Sequence, residues 1–163
     1  MSGRFAKSTD VSVEKSRAEI ERILLRYGAT KFAYYADEHG AKIAFAARGR
    51  NIRFDLPLPD RTAERFLRTE QKGLMRSAAA ALGLWEQECR SLWRALALSI
   101  KAKLESVEVG ITTFEEEFLA HIVLPDGLKV GETIRPKIAA VYSGQDVPLL
   151  PAPTSSGKGG TDG

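Results

Sequence analysis

The chain has 163 residues, which is the size of a single domain with or without an appended segment. Hydrophobic residues make up 44% of it and charged residues 28%, and these proportions exclude a wholly disordered chain, a collagen-like protein and a disulfide scaffold. One cysteine cannot form an internal disulfide, and the N-terminus has no apolar segment typical of a signal peptide. We therefore expect a cytoplasmic protein that does not associate with membranes.

The net charge of +3 is unevenly distributed along the chain. Residues 1–76 carry 16 Lys and Arg against 10 Asp and Glu, for a net +6, whereas residues 77–163 carry 8 against 11, for a net −3. A basic half joined to a mildly acidic half indicates an anionic partner for the basic half, or a head-to-tail contact between copies.

The first predicted element is an amphipathic helix over residues 16–27. Ser16 and Glu19 have the spacing of a capping box, in which each side chain binds the backbone amide of the other residue. Gly28 is suited to end this helix, and a short strand over residues 11–13 is predicted before it. The apolar residues at helical intervals are Ile20, Ile23, Leu24 and Tyr27.

Residues 31–56 predict a three-stranded antiparallel meander. Three segments of alternating side chains are separated by glycine-bearing turns at residues 37–40 and 48–50, a pattern typical of strands that are covered on one face. The alternating apolar set comprises Phe32, Tyr34, Ala36, Ile43, Phe45, Ala47, Ile52, Phe54 and Leu56.

A polar, Arg-rich connection follows over residues 60–76, with a short helix capped by Asp60. It leads into a long helix of about 32 residues, roughly 48 Å, that ends at Gly110. Because this length exceeds what a small sheet covers, part of the helix is expected to contact a later helix or another chain. Its apolar stripe consists of Leu82, Trp85, Cys89, Leu92, Leu96, Ile100, Leu104 and Val107.

Two short helices are predicted near the C-terminus. Thr113 and Glu116 match a second capping box, and the helix that they begin places Phe114, Phe118 and Ile122 inward. After a turn at residues 124–127, the last helix covers residues 131–143, with Pro136 early in it.

Together these elements predict an α+β fold in a single domain over residues 11–144. The three-stranded antiparallel meander packs on the N-terminal helix and on part of the long central helix, and the two short C-terminal helices complete the domain. Residues 1–10 are predicted to be flexible. Residues 145–163 are rich in Pro, then in Gly and Ser, and are predicted to form a disordered tail.

Few residues offer catalytic or metal chemistry. Cys89 lies in an apolar stripe, where a thiol is usually a small buried hydrophobe. Glu117 and His121 have the i, i+4 spacing that can hold a divalent metal, with Glu105 or Glu108 as the nearest further ligand. An acidic first helical turn, favoured by the helix dipole, explains the same residues. No serine-nucleophile, phosphate-loop or dinucleotide motif is present. We expect a protein that is not an enzyme and needs no cofactor or metal.

The strongest functional signal is a run of basic residues. Arginine dominates it, which suits forked hydrogen bonds to phosphates, although four acidic residues interrupt it. A solvated, salt-bridged surface is the alternative interpretation. The candidate nucleic-acid-binding residues are Arg48, Arg50, Arg53, Arg61, Arg65, Arg68, Lys72 and Arg76.

Residues 93–127 (WRALALSIKAKLESVEVGITTFEEEFLAHIVLPDG) and residues 16–34 (SRAEIERILLRYGATKFAY) carry a distinctive sequence pattern. Over roughly residues 11–150, the chain resembles an uncharacterised family of small proteins from bacteriophages and from bacterial genomes with mobile elements. That family has no established activity, so the resemblance implies a phage or prophage setting and nothing about mechanism.

Two functional hypotheses follow. The first is a non-catalytic phage or prophage accessory protein that binds DNA or RNA through an Arg-rich face, with a salt-dependent and weakly sequence-specific affinity. The alternative is a protein-interaction module, or an inhibitor of a host protein, that dimerises through the long helix over residues 78–109. The expected partners are therefore DNA or RNA, a host or phage protein, or a second copy of the chain.

Overall fold

A computed structural model describes Ala6 and residues 8–148 of the chain. It has the predicted α+β class: a three-stranded antiparallel sheet of order β1-β2-β3, with helices packed against one face. The strands are β1 (Lys31–Asp37), β2 (Gly40–Ala47) and β3 (Arg50–Leu56). The helices are α1 (Val13–Arg26), α2 (Glu64–Leu67), α3 (Ala78–Glu108), α4 (Phe114–Phe118), a 3₁₀ turn (Leu119–His121) and α5 (Val130–Tyr142).

The sheet is a meander with two-residue turns, and its predicted alternation is confirmed. Asp37 pairs with Gly40 in the first hairpin, and Ala47 pairs with Arg50 in the second. Arg48, in the second turn, has a φ of +50°. The side chains that β2 and β3 bury on the inner, helix-covered face are Ala41, Ile43, Phe45, Ala47, Ile52, Phe54 and Leu56.

Helix α1 begins one turn earlier than the sequence predicted. Ser12, not Ser16, is its N-cap, and the Ser12 hydroxyl accepts a hydrogen bond from the Lys15 N–H. The earlier start extends the apolar stripe back to Val13, which packs against the core, while Ser16 becomes a buried helical residue. The prediction of a capping box at Ser16 and of a strand over residues 11–13 was therefore wrong.

Helix α3 matches its predicted bounds and organises the domain. The Ser77 hydroxyl accepts from the Ala80 N–H at the start, and Gly110, with a φ of +80°, follows the end. Leu96 is 9% exposed and belongs to the hydrophobic core, and Leu92 packs against that core. From Leu92 to Val107, the apolar stripe that was predicted to mediate dimerisation is thus packed within the chain, in the core that α1 and the sheet share.

The C-terminal elements close the sheet beside β3. The capping box of Thr113 and Glu116 is confirmed, and the Phe118 ring packs edge-on against Phe45 and Phe54, with ring centroids 6.1 Å apart in each pair. The Val123 N–H then donates to the carbonyl of Asn51 over 2.8 Å. The chain therefore runs along the β3 edge before α5 begins.

Helix α5 lies against the 3₁₀ turn and contains no buried residue. The first turn of α5 packs closely on the 3₁₀ turn, because a Cβ at Gly131 would lie 2.9 Å from the Ala120 carbonyl oxygen. A residue without a side chain is therefore required at this position. Of the apolar residues on α5, Ile138 and Val141 are exposed. The helix is thus attached to the domain mainly at its N-terminal end.

Part of the sequence-based prediction falls on residues that the structure does not describe. For the predicted flexible N-terminus, residues 1–5 and 7 lie outside the described residues, and for the predicted disordered tail, residues 149–163 do. Across the described helices, none combines the length and the apolar character that a membrane span requires.

Candidate nucleic-acid interface

The candidate basic residues divide into two groups at opposite ends of α3. Arg48 lines a cleft together with Val107, near the C-terminal end of the helix. Arg61 lies over the ring of Trp85, near its N-terminal end. Residues 85 and 107 are separated by about 33 Å along a helix axis. The run between residues 48 and 76 is therefore not one continuous face.

In the first group, Arg48 and Arg50 contact helix α4. Arg50 Nε and Nη2 each lie 2.8 Å from the Glu115 Oε1 atom, in an ion pair whose side chains are about half exposed. The Arg48 guanidinium lies 5.7 Å from the centroid of the Phe114 ring. Both arginines thus contribute to attaching α4 to the second hairpin.

Arg53, also in the first group, is neutralised on the outer face of the sheet, opposite α1 and α3. Its guanidinium lies 3.2 Å from Asp55 and 3.2 Å from Glu132, and it donates to the Gly127 carbonyl over 3.0 Å. Asp55 also pairs with Lys129. Partial burial alone would raise the pKa of Asp55, but the hydrogen bond and charge of Lys129 outweigh it and hold that pKa below its ordinary value. Arg53 therefore joins β3 to the C-terminal segment.

The second group, Arg61, Arg65, Arg68, Lys72 and Arg76, is called the basic segment below. It begins in the turn before helix α2 and continues through that helix into a loop that folds back on itself. Phe66 anchors the helix in the protein, at 3% exposure. The loop closes through an antiparallel bridge between Arg68 and Met75, with Gly73 at a φ of +59°. Asp60 does not cap α2 as predicted, because it accepts hydrogen bonds from Thr62 instead.

Backbone carbonyls, not carboxylates, hold Arg68 and Arg76 of the basic segment in place. The Arg76 guanidinium donates to the carbonyls of Arg65 and Arg68, and the Arg68 guanidinium donates to the Gly73 carbonyl over 2.9 Å. Within the described part of the chain, only Arg65 of these five residues forms an ion pair, with Glu88 at 2.7 Å. Four cations of the segment thus remain without a carboxylate partner there.

The surroundings of the basic segment include the start of α3 and the Trp85 indole. Helix α3 begins directly after Arg76, and its first turn has no acidic residue. The Trp85 indole beneath Arg61 is fixed by its N–H, which donates to the Pro59 carbonyl over 2.8 Å. Leu74 and Met75 are exposed on the same loop. Sequence reasoning placed Trp85 in the apolar stripe and had no signal for its contact with Arg61.

Cys89 offers no reactive thiol. It is buried in α3, and burial, followed by the charges of Glu88 and Glu86, raises its pKa to about 11. A thiol with this pKa stays protonated and poorly nucleophilic at neutral pH.

Glu117 and His121 do not form a metal site. Helix α4 ends at Phe118, so the two residues no longer share one helical face, and Glu117 pairs with Lys103 at 3.1 Å. The His121 ring stacks on Phe54, with centroids 4.0 Å apart. Burial, then the charges of Lys103 and Lys129, lower the pKa of His121. No group of three potential ligands (His, Cys, Asp or Glu) comes together among the residues that the structure describes.

In comparisons with known proteins, no family, no curated protein and no solved structure matches this chain. The resemblance to phage and prophage proteins therefore stays a prediction.

Proposed function

We propose that this protein binds nucleic acid through the basic segment at the N-terminal end of α3, without catalysing a reaction. The observation that carries the proposal is the set of four cations, Arg61, Arg68, Lys72 and Arg76, that lack a carboxylate partner among the described residues. A phage or prophage accessory role is part of this proposal and rests on the sequence resemblance alone.

The chemistry of these residues suits a phosphate backbone. Arginine presents several N–H donors in a planar fork that matches phosphate oxygens, and lysine adds a flexible point charge. Such contacts position a protein on a nucleic acid without reading its sequence. We therefore expect binding that depends steeply on salt and weakly on base sequence.

The other three candidates are not part of this surface. Arg50 and Arg53 already have carboxylate partners, and Arg48 lies at the far end of α3. Dimerisation through α3, as part of a protein-interaction module, has less support because Leu92 and Leu96 pack within the chain. A dimer would need a different surface.

The test measures binding of the full-length protein to fluorescently labelled duplex DNA, single-stranded DNA and RNA by fluorescence anisotropy. The first measurement is made at about 50 mM salt, where phosphate contacts are strong. The variant carries Arg61→Gln and Lys72→Gln, because the side chains of these residues do not hold the loop together as those of Arg68 and Arg76 do. The control carries Lys15→Gln and Arg22→Gln on the exposed face of α1, which changes the net charge equally.

We expect the slope of log affinity against log salt to decrease by about 0.9 for each phosphate contact that the variant loses, with the control unchanged. Equal losses of affinity in the variant and the control would mean that net charge alone causes the effect, and this would contradict the assigned site. Absence of binding to all three nucleic acids at low salt would overturn the proposed function.

A further inference from the structure

Strand β1 is an edge strand with one unpaired side. It pairs with β2 over its whole length, from Lys31 to Asp37, and no other described segment pairs with it. The unpaired edge of β1 therefore presents a row of backbone N–H and C=O groups without strand partners. Such an edge is a template for another strand, and proteins usually block it with charges, a proline or a bulge along the strand.

The turn geometry shows which backbone groups face the open edge. A two-residue turn makes Asp37 and Gly40 a pair that exchanges both of its hydrogen bonds, and such pairs alternate along an antiparallel ladder. The odd-numbered residues of β1 therefore bond to β2. The N–H and C=O groups of Phe32, Tyr34 and Ala36 point to the open edge.

The side chains of β1 do not block this edge. Its sequence, KFAYYAD, carries charges only at its two ends, and these charges are opposite in sign. The five residues between them have no charge, and the exposed Tyr35 side chain lies on the outer face of the sheet. The register with β2 continues through all seven residues without a bulge.

We propose that β1 pairs antiparallel with β1 of a second copy of this chain, forming a continuous six-stranded sheet across a two-fold axis at Tyr34. In this register, every residue of the strand has a partner, and the residues whose backbone groups face the edge lie opposite one another. The pairs are Lys31 with Asp37, Phe32 with Ala36, Ala33 with Tyr35, and Tyr34 with its own symmetry mate.

Charge and size both favour this register. The two Lys31–Asp37 pairs lie at positions without backbone hydrogen bonds, where opposing side chains come closest, and opposite charges there are favourable. Two of the three rings face a small side chain, since Phe32 is opposite Ala36 and Tyr35 is opposite Ala33, while Tyr34 faces its symmetry mate on the axis. A shift by two residues in either direction loses the charge pairs. The strand is thus complementary to itself.

The outer face beside β1 has room for the Tyr35 ring of the second copy. Ala33 neighbours Ala44 across the ladder, and a shallow groove of about 410 Å³ lies over these small side chains and Ala46. The proposed dimer uses neither the basic segment nor the apolar stripe of α3. It can therefore hold whether or not the protein binds nucleic acid.

The first test removes one edge-facing donor. Ala36→Pro deletes an N–H that points away from β2, so the ladder between β1 and β2 stays intact, and proline is tolerated at such edge positions. The control, Ala36→Ser, keeps the N–H and a small side chain. Sedimentation velocity from micromolar to submillimolar protein should show the wild type and the control approaching twice the monomer mass of 17.9 kDa.

The proline variant loses two symmetry-related hydrogen bonds per dimer, so its dimer dissociation constant should rise more than about tenfold. Circular dichroism and a thermal melt check that it is folded.

The second test exchanges the charges. Lys31→Asp alone and Asp37→Lys alone each place like charges opposite one another and should dimerise more weakly, whereas an equimolar mixture of the two should form a heterodimer. Since the Asp37 carboxylate also accepts hydrogen bonds from the N–H groups of His39 and Gly40, folding of its variant is checked separately.

The outcomes separate clearly. A wild type that stays monomeric over the whole concentration range overturns the proposal. A dimer that persists unchanged in Ala36→Pro and in both charge variants lies at another surface and also overturns it. Selective recovery in the mixture supports the antiparallel register, because no other arrangement of these strands pairs Lys31 with Asp37 twice.

Discussion

The two ends of helix α3 differ in what surrounds them. Over residues 78–88, Ala81 is the one buried side chain, and the helix supports the exposed basic segment. Over residues 89–108, the helix buries Trp93, Ala97, Ile100 and Leu104 against α1 and the sheet. In this second part, Arg94 forms an ion pair with Glu19 of α1, and beside it Arg50 is paired with Glu115.

The contrast separates two uses of arginine in one short chain. Near the buried part of α3, guanidinium groups bind carboxylates and join secondary-structure elements. Near the exposed part, Arg65 also pairs with a carboxylate, but Arg68 and Arg76 bind carbonyls of their own loop, which satisfies hydrogen bonds and leaves their positive charge uncompensated. Only the second arrangement is suited to an anionic ligand.

The largest expected effect on the free energy of unfolding comes from comparing a leucine-to-alanine substitution at the two ends of α3. Leu104→Ala removes a side chain that is 2% exposed and should lower the free energy of unfolding by about 2–5 kcal/mol. Leu84→Ala, at 42% exposure on the same helix, should cost less than about 1 kcal/mol. Urea unfolding followed by circular dichroism measures both. Equal costs would mean that the two ends are packed alike.

A smaller effect concerns pH at the buried side of the domain. Because burial and two lysines lower the pKa of His121 in the folded protein, the unfolded chain binds the proton more readily. The stability that neutral His121 provides is thus complete above about pH 6.5 and is lost as the pH falls below it.

The His121→Phe variant retains a ring on Phe54 but cannot titrate. Urea unfolding of both proteins at about pH 7.5 and about pH 5.5, on either side of the ordinary histidine pKa, should show the larger loss at low pH in the wild type. Identical losses would contradict the assignment.

The smallest effect is expected at the paired arginine. Arg50→Gln removes an exposed ion pair with Glu115 and should change the free energy of unfolding by less than about 1 kcal/mol. Its affinity for labelled DNA or RNA should equal that of the wild type, because it lies outside the basic segment. A loss as large as that of the Arg61 and Lys72 variant would show that both ends of α3 contact the ligand.

Much of the fold was predictable because its signals are local. Ser77 and Gly110 mark the two ends of α3, and Thr113 with Glu116 marks the start of α4, through hydrogen bonds within one helical turn. The start of α1 was missed because two serines four residues apart both offer a cap. Packing of the partly buried Val13 against the core decides between them, and that contact depends on the tertiary structure.

The arrangement of the basic residues was only half predictable. The sequence analysis treated basic residues that are neighbours in sequence as one surface. Strand β3, however, carries the chain about 23 Å across the sheet, and its side chains alternate between the two faces of the sheet. Arg48, Arg53 and Arg61 therefore have different surroundings. The carboxylates that neutralise Arg50 and Arg53 come from residues 115 and 132, which periodicity cannot relate to them.

The charged group of Arg53, Asp55, Lys129 and Glu132 also determines how readily α5 detaches from the rest of the domain. This helix buries no side chain of its own, so its attachment depends on ion pairs and on the close contact at Gly131. Opening it leaves the hydrophobic core intact and exposes little apolar surface. The C-terminal helix is therefore expected to unfold locally at a lower free energy than α1 and α3, which bury core residues, and rising salt should weaken its attachment more than it weakens the core.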